Sequence, residues 1–214
     1  MDLWRYAQSL TSRPVKGMLT GPYTLVEWSF DDYYPDRRSA ILAMAQVVRR
    51  EALALEAAGA QYIQIDEPAC STRHADLPLV CEAMGIVTEG LTAKTITHIC
   101  YGDFVAAYDQ LIEIPVDQID IELANRDYDL LELIERKPFR QEIGLGVIDV
   151  HTHHVETVDQ IVAGIERALE FMPPEKIFVD PDCGLKTRTW DECEAKLRVM
   201  VEAVQQVKAK HGIQ

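Results

Sequence analysis

Apolar positions along this chain fall into two alternating patterns. Short β-branched runs are separated by longer stretches whose apolar residues recur every three to four positions. The short runs predict strands at 15–20 (VKGMLT), 61–66 (QYIQID), 94–100 (KTITHIC), 117–123 (DQIDIEL), 142–149 (EIGLGVID) and 176–181 (KIFVDP). Helical periodicity is clearest over 37–59, where Ile41, Ala45, Val48, Ala52 and Leu55 form one stripe and Gly59 supplies a C-terminal stop. Stretches 155–172 and 190–210 repeat that pattern. Strands alternating with helices predict parallel strands joined by crossover helices, an α/β fold in one domain spanning 1–214.

Two parallel architectures fit this order, an open doubly wound sheet and a closed barrel. No G-x-G-x-x-G or G-x-x-x-x-G-K-[ST] follows any strand, so the open nucleotide-binding sheet lacks its signature. Polar residues instead gather at the C-terminal ends of the strands: Thr20, Asp66 with Glu67, His98 with Cys100, Glu122, Asp149 with His151, and Asp180 to Cys183. A TIM (β/α)8-type barrel builds its site there, from several strand ends at once. A barrel is therefore expected, with six strands legible where a closed one has eight.

Composition narrows the classes. At 214 residues, 48% hydrophobic and 26% charged, the chain can bury a sizeable core. A net charge of −14 argues against nucleic-acid and anionic-membrane partners. No apolar run is long enough to span a bilayer, and MDLWRYAQSL has neither the basic nor the apolar region of a signal peptide. Five cysteines without a C-x-x-C suggest no disulfide framework, and a reducing cytoplasm is the expected location.

The stretch THICYGDF (97–104) brings in chemistry. On a strand, His98 and Cys100 face the same side, together with Ile96. The pair reads either as half of a zinc site or as two ordinary buried side chains. Two further candidates stand at strand ends. Glu122 in QIDIELAN shares a face with Asp120, and Cys183 in FVDPDCGLKTR follows the last strand. His98, Cys100, Glu122 and Cys183 together offer a mixed nitrogen, sulfur and oxygen set. Ligands so far apart in sequence, one of them a carboxylate, suit a reactive site better than a structural knuckle. The competing reading pairs Glu122 with a lysine or arginine and makes Cys183 a small buried hydrophobe. Cys70, Cys81 and Cys193 read as core or surface thiols, and His153 and His154 as solvated loop positions. Asp149 is placed to orient the His151 ring, while Lys186 and Arg188 read equally as an anion site or a solvated pair.

The stretches KGMLTGPYTL, WSF, IQIDEPA, THICYGDF, IDIELAN, GVIDVH and VDPDCGLKTR, in this order, resemble the catalytic domain of cobalamin-independent methionine synthases over almost the whole chain. That resemblance implies zinc held by His98, Cys100, Glu122 and Cys183, and transfer of a methyl group to the thiol of homocysteine. It also implies that Asp66, with Glu67 beside it, binds the amino-acid substrate. Trp28 would lie near the pterin of a methyl donor, and His151 would donate a proton. The family's domain carries two further strand–helix units before this point, and its long form carries a carboxylate where Thr72 stands here. A short core form lacking its first two units is therefore expected, with methylcorrinoid or methyl-folate as donor. A corrinoid protein, an N-terminal companion segment or a second copy are the expected partners. Methylation of another thiol, such as coenzyme M, and a non-catalytic zinc-binding subunit are the alternatives.

The ligand set suits this chemistry. An alkyl thiol attacks as its thiolate, yet it is mostly protonated at neutral pH. Two cysteinates and a carboxylate leave Zn²⁺ electron-rich, so a sulfur bound there stays nucleophilic. An all-histidine site would favour water activation instead.

Overall fold

Helices and strands alternate as the apolar pattern requires, in a computed structural model that describes residues 2–100, 102–138 and 140–213. By its contacts the chain divides into two compact units, one up to Ile119 and one from Asp120 onward.

The first unit opens with α1 (Asp2–Ser9), β1 (Gly17–Thr20), α2 (Pro22–Glu27) and α3 (Arg37–Ala57). It continues through β2 (Tyr62–Asp66), α4 (Leu77–Thr88), β3 (Lys94–Ile99) and α5 (Phe104–Leu111). β1 pairs with β2 in parallel, Gly17 opposite Ile63 and Thr20 opposite Asp66, and β2 pairs with β3, Ile63 opposite Thr95. α3 begins where the Asp36 side chain accepts from Ser39 N (2.8 Å), relieving one of the unpaired donors of a helix start. Its stripe of Ile41, Ala45, Val48, Ala52 and Leu55 is buried as the periodicity predicts. The helix stops two residues short of the expected limit, and Gly59 takes φ +107°, a conformation a Cβ disfavours. Ile63, Ile65, Ile96 and Ile99 are buried completely, each contributing about 2 kcal/mol of apolar burial.

β4 (Gln118–Ile121) contains the boundary between the units, and all four of its residues are buried. The second unit holds α6 (Leu131–Arg136), β5 (Glu142–Gly146), α7 (Val158–Leu169), β6 (Ile177–Asp180) and α8 (Trp190–His211). β5 and β6 are parallel, with Gly146 opposite Asp180. α7 packs against α8, and each starts with a reciprocal capping box, Thr157 with Gln160 and Thr189 with Glu192.

One expectation changes. The run 142–149 is not one strand. β5 ends at Gly146, and the chain bends away held by Val147 N to Asp180 O and Asp182 N to Ile148 O, both 2.9 Å. Trp28 is the C-cap of the short helix α2.

Candidate metal centre and thiol-binding residues

In the first unit the parallel register brings the C-terminal ends of β1, β2 and β3 side by side. Main-chain bonds continue past the strands: Gly21 N donates to Asp66 O (2.8 Å) and Glu67 N to His98 O (3.0 Å). His98 is half-buried and Cys100 buried, and their ligand atoms lie within 4.8 Å of each other. Asp66 stands half-exposed at its strand end. Its Oδ1 accepts from Gln64 Nε2 (2.8 Å), and Gln64 Oε1 accepts in turn from Lys16 Nζ (2.9 Å).

Glu67 behaves differently from its neighbour. It is wholly buried. Its Oε1 accepts from Tyr23 N (3.0 Å), and its Oε2 from Thr24 N (2.8 Å) and Thr24 Oγ1 (2.7 Å). The carboxylate thus serves as a cap for α2, supplied from a distant part of the chain. Burial pushes its pKa up to about 7 even though these donors favour the anion. A Cβ on Gly21 would collide with the Glu67 carboxylate, so this turn requires glycine.

Beyond α2, Arg37 binds Glu27 and Asp76 (2.8 Å) and donates to the Tyr23 hydroxyl (2.6 Å), tying the helix to α3 and α4. Trp28 remains 69% exposed, so packing does not account for it. Tyr33 and Tyr34 follow in the same exposed segment, edge to face at 5.1 Å.

In the second unit Glu122 is almost fully buried, and His151 Nε2 lies 3.4 Å from its Oε1. Asp149 does not orient the His151 ring. Its Oδ1 accepts instead from the His151 main-chain N–H (2.8 Å) and so shapes the loop. Cys183 is half-buried next to Asp182, a residue that the sequence did not single out from its neighbours. Asp182 is completely buried and accepts from three successive main-chain donors: Leu123 N (2.9 Å), Ala124 N (3.0 Å) and Asn125 N (2.9 Å). It ties the end of β6 to the segment after Glu122. Burial first, then repulsion from Glu122, raises its pKa to about 6 against the pull of those donors. His153 pairs with Glu192 (2.6 Å) at the start of α8, Lys186 is exposed and Arg188 half-buried.

A family described as cobalamin-independent synthase, catalytic domain, matches residues 1–206. The chain belongs to that family. It is 39% identical over 209 residues to a methionine synthase of Saccharolobus solfataricus, covering 97% of this chain and 63% of that protein. With a methionine synthase of Pyrococcus abyssi the identity is also 39%, over 206 residues, covering 96% and 60%. Among solved structures, a B12-independent methionine synthase from Shewanella sp. W3-18-1, in complex with selenomethionine, superposes with a TM-score of 0.90. That match is 25% identical in sequence and covers all of this chain and 67% of the other. The cobalamin-independent synthase fold thus extends across the chain, which spans about three-fifths of the length of the curated relatives it matches.

Proposed function

We propose that this chain transfers a methyl group to the thiol of homocysteine, giving methionine, with zinc held by His98, Cys100, Glu122 and Cys183. The observation that carries the reading is the His98–Cys100 pair at the end of β3, with ligand atoms within 4.8 Å of each other. The relatives' name and the buried Glu122 beside His151 support it. One imidazole, two thiols and a carboxylate form a donor set that fits Zn²⁺, which accepts nitrogen, sulfur and oxygen at tetrahedral sites. When bound, zinc would stabilise the substrate sulfur as a thiolate at neutral pH.

The chain's own residues supply the rest. Asp66, half-exposed at the end of β2, offers an acceptor to a substrate ammonium group, and Lys16 and Gln64 hold it in place. Glu67 shapes the turn between β1 and α2 and has both oxygens engaged, so its role toward substrate is indirect. In the transfer a sulfur–carbon bond forms and the donor–methyl bond breaks. The thiol proton leaves to solvent, and where the donor departs as an amine, as a folate does, His151 can protonate it. Trp28 presents an exposed flat face that a pterin or corrin ring can stack on. Methylcorrinoid, alone or on a carrier protein, and methyl-folate both fit that description.

Metal analysis tests the centre. Cys100→Ser and Cys183→Ser should each lose most of the zinc and at least ~100-fold in methyl transfer to homocysteine, since removing a ligand opens the coordination shell. Full zinc retention in both variants would overturn the ligand assignment.

A further inference from the structure

Lys196 is a charged side chain with no solvent exposure, on the inner face of α8. Burying an ammonium is unfavourable unless charge and hydrogen bonds compensate it, so its partners show what the position is for. Its Nζ donates to Glu156 Oε2 (2.9 Å), to Asp149 O (3.0 Å) and to His154 O. All three donor positions of the ammonium are used. All three acceptors belong to one segment, the loop between β5 and α7.

The contacts continue within that loop. Glu156 Oε1, the carboxylate oxygen not bonded to Lys196, accepts from Asp149 N (2.9 Å). Asp149 Oδ1 accepts from His151 N (2.8 Å). His151, at the crown of the loop, places Nε2 3.4 Å from Glu122 Oε1. An unbroken series of bonds therefore runs from Lys196 through Glu156 and Asp149 to His151. The loop has no regular secondary structure of its own, and it is fixed to α8 by the buried ammonium and, at the helix start, by the His153–Glu192 contact.

We propose that Lys196 is a positioning residue for methyl transfer, holding the 149–156 loop so that the His151 ring stays beside Glu122. This rests on the reading of His151 as the residue that protonates the departing methyl donor. Neither Lys196 nor Glu156 touches the reacting groups in this arrangement. A leucine or methionine would be the simpler occupant of a buried site on a helix, since replacing a buried ion pair with apolar residues is often neutral or stabilising. Keeping a lysine here gives the loop three anchor points that no apolar side chain can provide.

The test combines kinetics with amide hydrogen exchange on the zinc-loaded chain. In Lys196→Met, the amides of Asp149 and His151 should exchange at least ~10-fold faster while those in the middle of α7 do not change. The methyl-transfer kcat should fall at least ~10-fold, with zinc content and KM for homocysteine within about twofold of the parent. Introduced into a His151→Asn background, the same substitution should lower kcat no further, because residues acting through one another are not additive. Should Lys196→Met fail to fold, Glu156→Gln carries the test, since it disturbs both the ammonium contact and the Asp149 N–H contact while leaving α8 intact. Unchanged exchange at Asp149 and His151 in the folded variants would overturn the proposal, as would a kcat loss that persists undiminished in His151→Asn. If the parent chain transfers no methyl group, the functional reading fails separately, and the exchange measurement alone decides whether Lys196 fixes the loop.

Discussion

Glu67 and Asp182 show how a buried carboxylate can hold main chain from a distant segment. Each collects three donors, and each still has a raised pKa because burial outweighs them. For Glu67 the folded value is about 7 against 4.5 when free, which fixes the sign of its pH dependence. Its contribution to stability is fully present below pH 4.5 and is lost as pH rises through 7. Glu67→Gln removes that titration. The stability of the parent chain relative to this variant should therefore fall by about 3 kcal/mol between pH 4 and pH 8, measured by urea unfolding at several pH values. A constant difference across the range would show that folding leaves the Glu67 pKa unshifted. The ligand candidates and His151 were legible as residue types at strand ends. The roles of Glu67 and Asp182 were not, because they depend on main-chain N–H groups from other segments, which carry no sequence signal.

At the scale of elements, β5 shows why a strand of this kind needs glycine. A Cβ on Gly144 would collide with Asp120 Oδ1 and stand 2.8 Å from the Asp120 Cα, which is main chain and cannot rotate away. A Cβ on Gly146 would meet Asp182 Oδ1 and the Ile121 carbonyl (2.8 Å). Both glycines let β5 lie close to the end of β4 and to the Asp182 carboxylate. Gly144→Ala should destabilise the chain by about 2–3 kcal/mol, as overpacking at a rigid position does. Thermal unfolding checks this, and a loss below about 0.5 kcal/mol would mean that β5 shifts freely. The helices followed their periodicity closely. The strands ended earlier than their apolar runs, because residues such as Val147 and Ile148 remain buried after the ladder ends.

At the scale of the whole molecule, apolar surface remains uncovered in each unit. In the first, Leu3, Tyr6, Leu10 and Met18 are exposed, and β1 is an edge strand among the described residues. In the second, Trp190, Leu197 and Val201 lie along one face of α8 and are exposed as well. Such surfaces are hazards for a lone soluble chain and commonly mark an interface. Light scattering at tens of micromolar should therefore give a mass well above the 24.2 kDa of one chain. A monodisperse monomer would overturn this expectation. Among the described residues, no helix is long and apolar enough to cross a membrane.

The sequence by itself determined the alternation of strands and helices, because apolar period is a local property that survives without tertiary contacts. It also determined which strand ends carry imidazole, thiol and carboxylate groups, since these are read directly as residue types. Tertiary structure decided what each polar group does. Glu67 turned out to cap a helix and Asp149 to shape a loop, although sequence offered both as groups acting on a substrate or a ring. The buried lysine on α8 was invisible beforehand, because within its helix it reads as one more solvated charge. Burial and hydrogen-bond partners come from segments far apart along the chain, and only folding brings them within 3 Å of each other.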